Sequence, residues 1–126
     1  MKKVLVESPF AGKDKEELQR NIRYARLCLH DCFLRNEAPF ASHLLYTQPG
    51  ILDDNDARQR HIGIEAGLLW GGLADMSVFY IDFGYSRGML YGKENAIKAN
   101  RPWIERKLPD LVMQQLSQTN YEGWAW

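Results

Sequence analysis

Residues 82–89, with the sequence Asp-Phe-Gly-Tyr-Ser-Arg-Gly-Met, combine a carboxylate with groups that can bind an anion. An apolar run at 76–81 precedes them and a helical pattern starts at Gly88, so they predict a loop between a strand and a helix. The first amides of a helix attract anions, and Arg87 could hold a phosphate together with the amides of Gly88 and Met89. The loop therefore predicts a ligand-binding segment that includes Gly84, Ser86, Arg87, Gly88 and Met89.

Asp82 and Glu94 are the candidate catalytic carboxylates of this segment. Asp82 could act as an acid at the strand end, or its carboxylate could instead accept hydrogen bonds from the amides of its own turn. Glu94 lies almost two turns into the predicted helix, where it could instead pair with Lys98 at i+4.

Other candidate contacts come from the first and second βα units. His43 could bind a base or hydroxyl, or be satisfied inside the protein, and Asn21 could face the cleft or cap a loop. His61 and Glu65 share a helix face, but no third ligand follows, so no metal site is predicted. The first strand lacks a glycine-rich dinucleotide fingerprint, and no cofactor is predicted.

Short apolar runs alternate with helical patterns along the chain. Strands are predicted near 3–7, 40–46, 76–81 and 103–106, with helices from 14, 56, 88 and 109. This alternation predicts an α/β fold with a doubly wound, flavodoxin-like parallel sheet of about four strands. Ligands bind such sheets where the strand order reverses, which brings the loop at 8–12 beside 82–89, with His43 and Tyr46 nearby.

The 126 residues predict a single α/β domain over 1–126, with an aromatic tail at 118–126 docked on a surface. Sixteen basic and sixteen acidic side chains cancel, which argues against DNA as the partner. No apolar run approaches the roughly 20 residues that span a bilayer, so a cytoplasmic protein without membrane contact is expected. Cys28 and Cys32 are expected to be reduced and to face a core.

The helix predicted from Asp56 has two distinct faces. Ile62, Ala66, Leu69 and Leu73 are spaced to line one face toward the sheet. Gly63, Gly67 and Gly71 form a ridge on another, although each glycine costs a helix about 1 kcal/mol relative to alanine. We interpret the ridge as a contact with a second subunit; a bound ligand and tight packing on the chain's own sheet are the alternatives.

Several long segments of the sequence resemble a phage and bacterial family related to nucleoside 2-deoxyribosyltransferases. They are Ser-Pro-Phe-Ala-Gly at 8–12, the run at 37–50, Gly-Ile-Glu-Ala-Gly at 63–67 and the run at 82–89, and the resemblance extends from Val4 to Leu108. The wider superfamily of deoxyribosyltransferases and nucleotide N-glycosidases holds a nucleoside or nucleotide at a dimeric site and attacks its anomeric carbon with a glutamate.

The resemblance implies that Ser8, Phe10 and Gly12 contact the sugar or base and that Ser86, Arg87 and Gly88 hold phosphate. It implies a small-molecule nucleotide or nucleoside as partner, a homodimer or higher homo-oligomer, and host cytoplasm if the protein is phage-encoded. This sequence departs from the pattern at the nucleophile, because Gly92 stands near the expected position and Glu94 is the nearest carboxylate in the helix.

Two functions follow from these observations, and a structural domain without a small ligand is a third possibility. The first is a hydrolase or transferase acting at the N-glycosidic bond. The alternative is a non-catalytic protein that sequesters a nucleotide-derived signal, such as a phage anti-defence protein. The absence of a glutamate at the expected position favours binding without catalysis. Asp82 and Glu94 are nevertheless carboxylates that could act in catalysis.

Overall fold

The computed structural model describes residues 1–117, which form a four-stranded, all-parallel sheet flanked by helices. The strand order β2-β1-β3-β4 confirms the predicted α/β class and is consistent with a flavodoxin-like arrangement. The aromatic tail at 118–126 lies outside the described residues. The elements are β1 (Lys2–Glu7), α1 (Lys15–Leu34), β2 (Glu37–Phe40), α2 (Ser42–Leu45), α3 (Ala57–Gly71), β3 (Met76–Tyr80), α4 (Arg87–Lys98), β4 (Trp103–Arg106), α5 (Asp110–Gln114) and a 3₁₀ turn (Gln115–Ser117).

Alternate residues of the central strands face opposite layers of helices. Val4, Val6 and Tyr80 belong to a buried core that α1 and the segment from Leu108 onward complete. On the other face, Leu5 contacts the end of α3 and Glu7 lies against α4. Cys28 and Cys32 of α1 are buried and form no disulfide, as predicted.

The first helix begins where the sequence predicts it, directly after Asp14. The backbone N–H of Glu17 donates to the Asp14 side chain at 2.8 Å, which satisfies one of the first amides of α1. A side chain at Gly12 would place its Cβ 2.6 Å from the backbone nitrogen of Leu18. Gly12 therefore lets the β1–α1 loop lie directly on the start of the helix.

The predicted strand at 40–46 is wrong. The second strand ends at Phe40, whose partner in the register is Leu5, and Ser42–Leu45 form the short helix α2. The backbone N–H groups of Leu44 and Leu45 donate to the Ala41 carbonyl, so the chain turns away from the sheet edge immediately after Ala41. His43 consequently lies on a helix beyond the carboxyl end of the strand.

The orientation predicted for α3 is also wrong. Leu69 is 79% exposed, and Ile62 and Leu73 are exposed as well, whereas Gly67 and Gly71 are buried. A Cβ at Gly67 would clash with Ser42, and one at Gly71 would lie 2.7 Å from Leu5 Cδ2. The glycine ridge therefore packs closely against this chain's own α2 and β1, which contradicts its interpretation as a contact with a second subunit.

Candidate functional site

A cavity of about 290 Å³ opens beyond the carboxyl ends of the central strands. Its wall is formed by the end of β1, by α2 and α3, and by the first two turns of α4. The chain runs from β1 outward to β2 and then returns to β3 on the other side, so the cavity lies where the strand order reverses. This is the position that the sequence predicts for the cleft.

The start of α4 forms one end of this cavity. Ser86 Oγ accepts the backbone N–H of Met89 at 3.2 Å, while the amides of Arg87 and Gly88 have no acceptor within the helix. The Arg87 side chain is exposed, borders the cavity and makes no hydrogen bond or ion pair within residues 1–117. All four residues from Ser86 to Met89 line the wall, so this end can receive an anion.

Glu7, the last residue of β1, contributes a carboxyl group that the sequence analysis missed. It borders the cavity and lies directly over Gly92 of α4, where an added Cβ would be 2.7 Å from Glu7 Cδ. Its carboxyl group makes no hydrogen bond or ion pair to any residue of the described chain. Burial raises the pKa of Glu7 to about 8, and the positive charge of Arg101 only partly opposes this shift. The folded protein therefore presents a largely protonated carboxyl group at neutral pH.

Ser8 and His43 form a polar pair beside Glu7. Ser8 Oγ and His43 Nε2 lie 2.8 Å apart, and both residues line the cavity. Burial lowers the pKa of His43 to about 4, so the ring is neutral at physiological pH. The Phe10 ring meets the His43 ring edge-on at 6.2 Å between centroids. A neutral hydroxyl–imidazole pair of this kind can donate to and accept from a sugar or a base.

Aromatic and small residues shape the rest of the wall. Phe10, Tyr46 and Tyr91 border the cavity, and Gly63 and Gly67 line it along α3. The loop at 47–56, predicted as a lid or binding segment, contributes to the wall and is tied to α3. Asp54 of this loop lies 3.9 Å from Arg60, and both side chains border the cavity.

Asn21 lies outside the cavity and positions the loop that carries Ser8 and Phe10. Its side chain is buried, and Nδ2 donates to the carbonyls of Phe10 at 3.0 Å and Ala11 at 3.4 Å. Of the alternatives that the sequence left open, the structure favours the one in which Asn21 caps a loop. Gly12, which also lies outside this cavity, allows the close approach of the same loop to α1.

The two carboxylates proposed from the sequence do not reach the cavity. Asp82 Oδ2 accepts the Tyr24 hydroxyl at 2.6 Å and the Leu108 amide at 3.1 Å, so it joins the β3–α4 loop to the α1 side of the sheet. Glu94 is exposed, 3.9 Å from Lys98. Gly84 has a φ of +77° and also lies away from the cavity wall.

A sequence signal for Glu7 did exist, although it required two distant positions to be considered together. The glutamate expected from the resemblance is missing where Gly92 stands, and a glutamate ends the first strand immediately before Ser8. Only the packing of α4 against β1 brings these two positions into contact.

Within residues 1–117, no group of three or more histidine, cysteine, aspartate or glutamate side chains is arranged to hold a metal ion. Over the same range, no helix is both long enough and apolar enough to cross a membrane.

The chain belongs to the DUF7768 family, a domain of unknown function, whose profile matches residues 2–106. No curated protein matches the chain. The family match covers all four strands and the helices α1 to α4, and therefore includes every residue of the cavity wall.

Proposed function

We propose that the protein binds a nucleotide or nucleoside derivative in this cavity and acts at its N-glycosidic bond, as a hydrolase or transferase similar to nucleoside 2-deoxyribosyltransferases. One observation carries the proposal: an unpaired guanidinium group at a helix N-terminus and an unpaired carboxyl group border the same cavity. A phosphorylated nucleoside carries an anion at one end and a glycosidic bond further along, which matches this arrangement.

The α4 end supports phosphate binding. Arg87 can contact two phosphate oxygens, and the free amides of the first helical turn can contact the third. Hydrogen bonds to charged groups of this kind contribute roughly 1.5–3 kcal/mol each. Within residues 1–117, Arg87 has no internal partner to give up when an anion binds.

The aromatic wall supports recognition of a base and a sugar. Phe10, Tyr46 and Tyr91 offer ring faces or edges, and a base stacked on an aromatic side chain gains roughly 1–3 kcal/mol. The pair of Ser8 and His43 can exchange hydrogen bonds with sugar hydroxyls while it remains neutral.

Glu7 supports chemistry at the glycosidic bond. Its carboxyl group occupies the space over Gly92, near the position where the resemblance leads us to expect the glutamate of the superfamily. A side chain larger than hydrogen at position 92 would displace it. A carboxyl group carried by β1 therefore occupies the space next to the position where α4 would be expected to carry one.

Sequestration without turnover is the second candidate, and a specific observation favours it. Asp82 and Glu94 lie outside the cavity, and Glu7 is largely uncharged at neutral pH. Asp54, the other carboxylate of the wall within residues 1–117, lies 3.9 Å from Arg60, so the described part of the cavity offers no ionised carboxylate without a cationic partner. The phosphate end and the aromatic wall serve binding equally well.

The experiment is to incubate the purified protein with nucleosides, deoxynucleotides, ribonucleotides and cyclic nucleotide signals, and to separate the mixtures by chromatography with mass detection. Release of free base at ambient temperature is expected. An intact compound that leaves solution and returns only after heating would establish sequestration instead. If every compound stays free and intact, both candidate functions are refuted.

A further inference from the structure

We infer that the Glu7 carboxyl group protonates the departing base and so acts as the general acid of N-glycosidic cleavage, an inference that rests on the proposed function. The position of the side chain is the first argument. Glu7 ends β1, lies over Gly92 and borders the same cavity as the α4 N-terminus and the pair of Ser8 and His43. A ligand that binds its phosphate at the α4 end therefore shares the cavity with the Glu7 carboxyl group.

The second argument is that both Glu7 oxygens are available to a ligand. Within residues 1–117 they make no hydrogen bond or ion pair, whereas the Asp82 carboxylate is occupied by a tyrosine hydroxyl and a backbone amide. Arg101, which influences Glu7 electrostatically, is itself bound to Ser77 at 2.9 Å and to Asn95 at 2.8 Å. Glu7 therefore breaks no internal hydrogen bond or ion pair when it contacts a substrate.

The third argument is the protonation state. Burial raises the pKa of Glu7 to about 8, so a donor proton is present at neutral pH, and general acids are most effective when their pKa lies near the working pH. Other ionisable groups face the cavity from each element around it, and Asp54, the other carboxyl group of the wall within residues 1–117, lies 3.9 Å from Arg60. The remaining groups are His43 of α2, Tyr46 after it, and Arg87 and Tyr91 of α4.

The step balances with water as the only co-reactant. The O–H bond of Glu7 breaks and its proton goes to a nitrogen of the base, while the bond from that base to the anomeric carbon breaks and leaves its electron pair on the base. A water oxygen bonds to the anomeric carbon, and the proton that this water releases returns to the Glu7 carboxylate. The products are a free base and a free sugar or sugar phosphate.

The test compares the wild-type protein with Glu7→Gln on two substrates. One is the purine nucleotide that the wild-type protein cleaves, and the other is its N7-methylated form, whose cationic base leaves without being protonated. Loss of a general acid lowers rates by about 10²- to 10⁴-fold. We expect that loss in kcat/KM on the first substrate, retention within a few-fold on the second, and unchanged binding by calorimetry.

The matched control is Glu94→Gln, which makes the same chemical change at an exposed carboxylate outside the cavity and should leave both rates unchanged. The pH dependence of kcat/KM is a second measurement, which would not show the expected change if Glu7 had only a structural role. In the wild-type protein, kcat/KM on the first substrate should fall tenfold per pH unit above about pH 8, and this fall should be absent on the methylated substrate. Gly92→Ala, which displaces the carboxyl group without removing it, should also lower the first rate.

Each outcome is decisive. Equal losses on both substrates would make Glu7 a nucleophile or a structural residue and overturn the inference, as would full activity of Glu7→Gln on the first substrate. Both of these results leave the proposed function intact. If the wild-type protein releases no base from any compound, the proposed function fails, and the acid role fails with it.

Discussion

Replacing Glu7 with glutamine should make the stability of the protein less dependent on pH. The pKa of Glu7 is about 8 in the fold, against an ordinary value of 4.5. Below pH 4.5 both the folded and the unfolded chain hold the proton, so the ionisation of Glu7 does not lower the free energy of unfolding. Between pH 4.5 and pH 8 the unfolded chain ionises while the folded protein keeps its proton, so the free energy of unfolding falls by about 1.4 kcal/mol per pH unit.

The magnitude follows from that interval. The loss reaches about 3 kcal/mol at pH 7 and between about 4 and 5 kcal/mol above pH 8, and these are upper values because water in the cavity screens the charge. His43 acts in the opposite direction. Its pKa falls from 6.5 to about 4, so its contribution is lost as the pH drops from 6.5 toward 4. The effect of Glu7 must therefore be measured as a difference between variants at each pH.

The assay is urea unfolding of the wild-type protein and Glu7→Gln at pH 4.5, 6, 7 and 8.5. The two should be about equally stable at pH 4.5, and the variant should gain a margin that grows with pH and levels off above pH 8. Glu94→Gln provides the control and should stay within about 0.5 kcal/mol of the wild-type protein throughout, as surface substitutions usually do. A difference for Glu7→Gln that does not change with pH, or a variant less stable than the wild-type protein at pH 8.5, would refute the reasoning.

Three further predictions concern the anion end, the glycine ridge and Asp82. Arg87→Ala should weaken binding of a nucleoside monophosphate by roughly 10- to 100-fold by calorimetry while nucleoside affinity and melting temperature stay constant, and an unchanged phosphate affinity would contradict it. Gly67→Ala should destabilise the fold by about 1–3 kcal/mol in urea unfolding, because the added methyl group meets Ser42, whereas Gly88→Ala meets only Ser86 Oγ at 4.0 Å and should not. Tyr24→Phe should lower the free energy of unfolding by about 1–3 kcal/mol, because it removes a hydrogen-bond donor to Asp82. A loss of ligand affinity in this variant would contradict the placement of Asp82 outside the site.

Local patterns in the sequence predict most of the fold. The helix start near residue 14, the apolar run at 76–81 and the helical pattern from Gly88 each depend on a few neighbouring residues, and the structure contains all three elements. The alternation of strands and helices is enough to predict a parallel sheet with a cleft where its order reverses. Several segments that border the cavity were identified for the same reason, namely Ser8 with Phe10, His43 with Tyr46, and residues 86–89.

The errors arose where the inward face of a helix or the end of a strand depends on distant residues. Periodicity divides α3 into an apolar face and a glycine face, but it does not say which of them meets the sheet. The close approach of α3 to Ser42 and Leu5 leaves room only for glycine, so Leu69 and its neighbours point outward. The second strand likewise ends where its pairing with β1 ends, and no local signal near His43 marks that point.

The sequence by itself determined the class of fold, the approximate starts of the main helices and the loop at 86–89 that forms one end of the cavity, because these depend on neighbours within one or two turns. The tertiary structure alone decided which carboxyl group faces the cavity. Glu7 becomes a half-buried, largely protonated acid only when α4 packs over β1 with Gly92 at the contact, and Asp82 does not reach the cavity because its carboxylate accepts the hydroxyl of Tyr24 from α1. Burial and hydrogen bonding are properties of neighbours in space, and 84 residues of chain lie between Glu7 and the glycine that makes room for it.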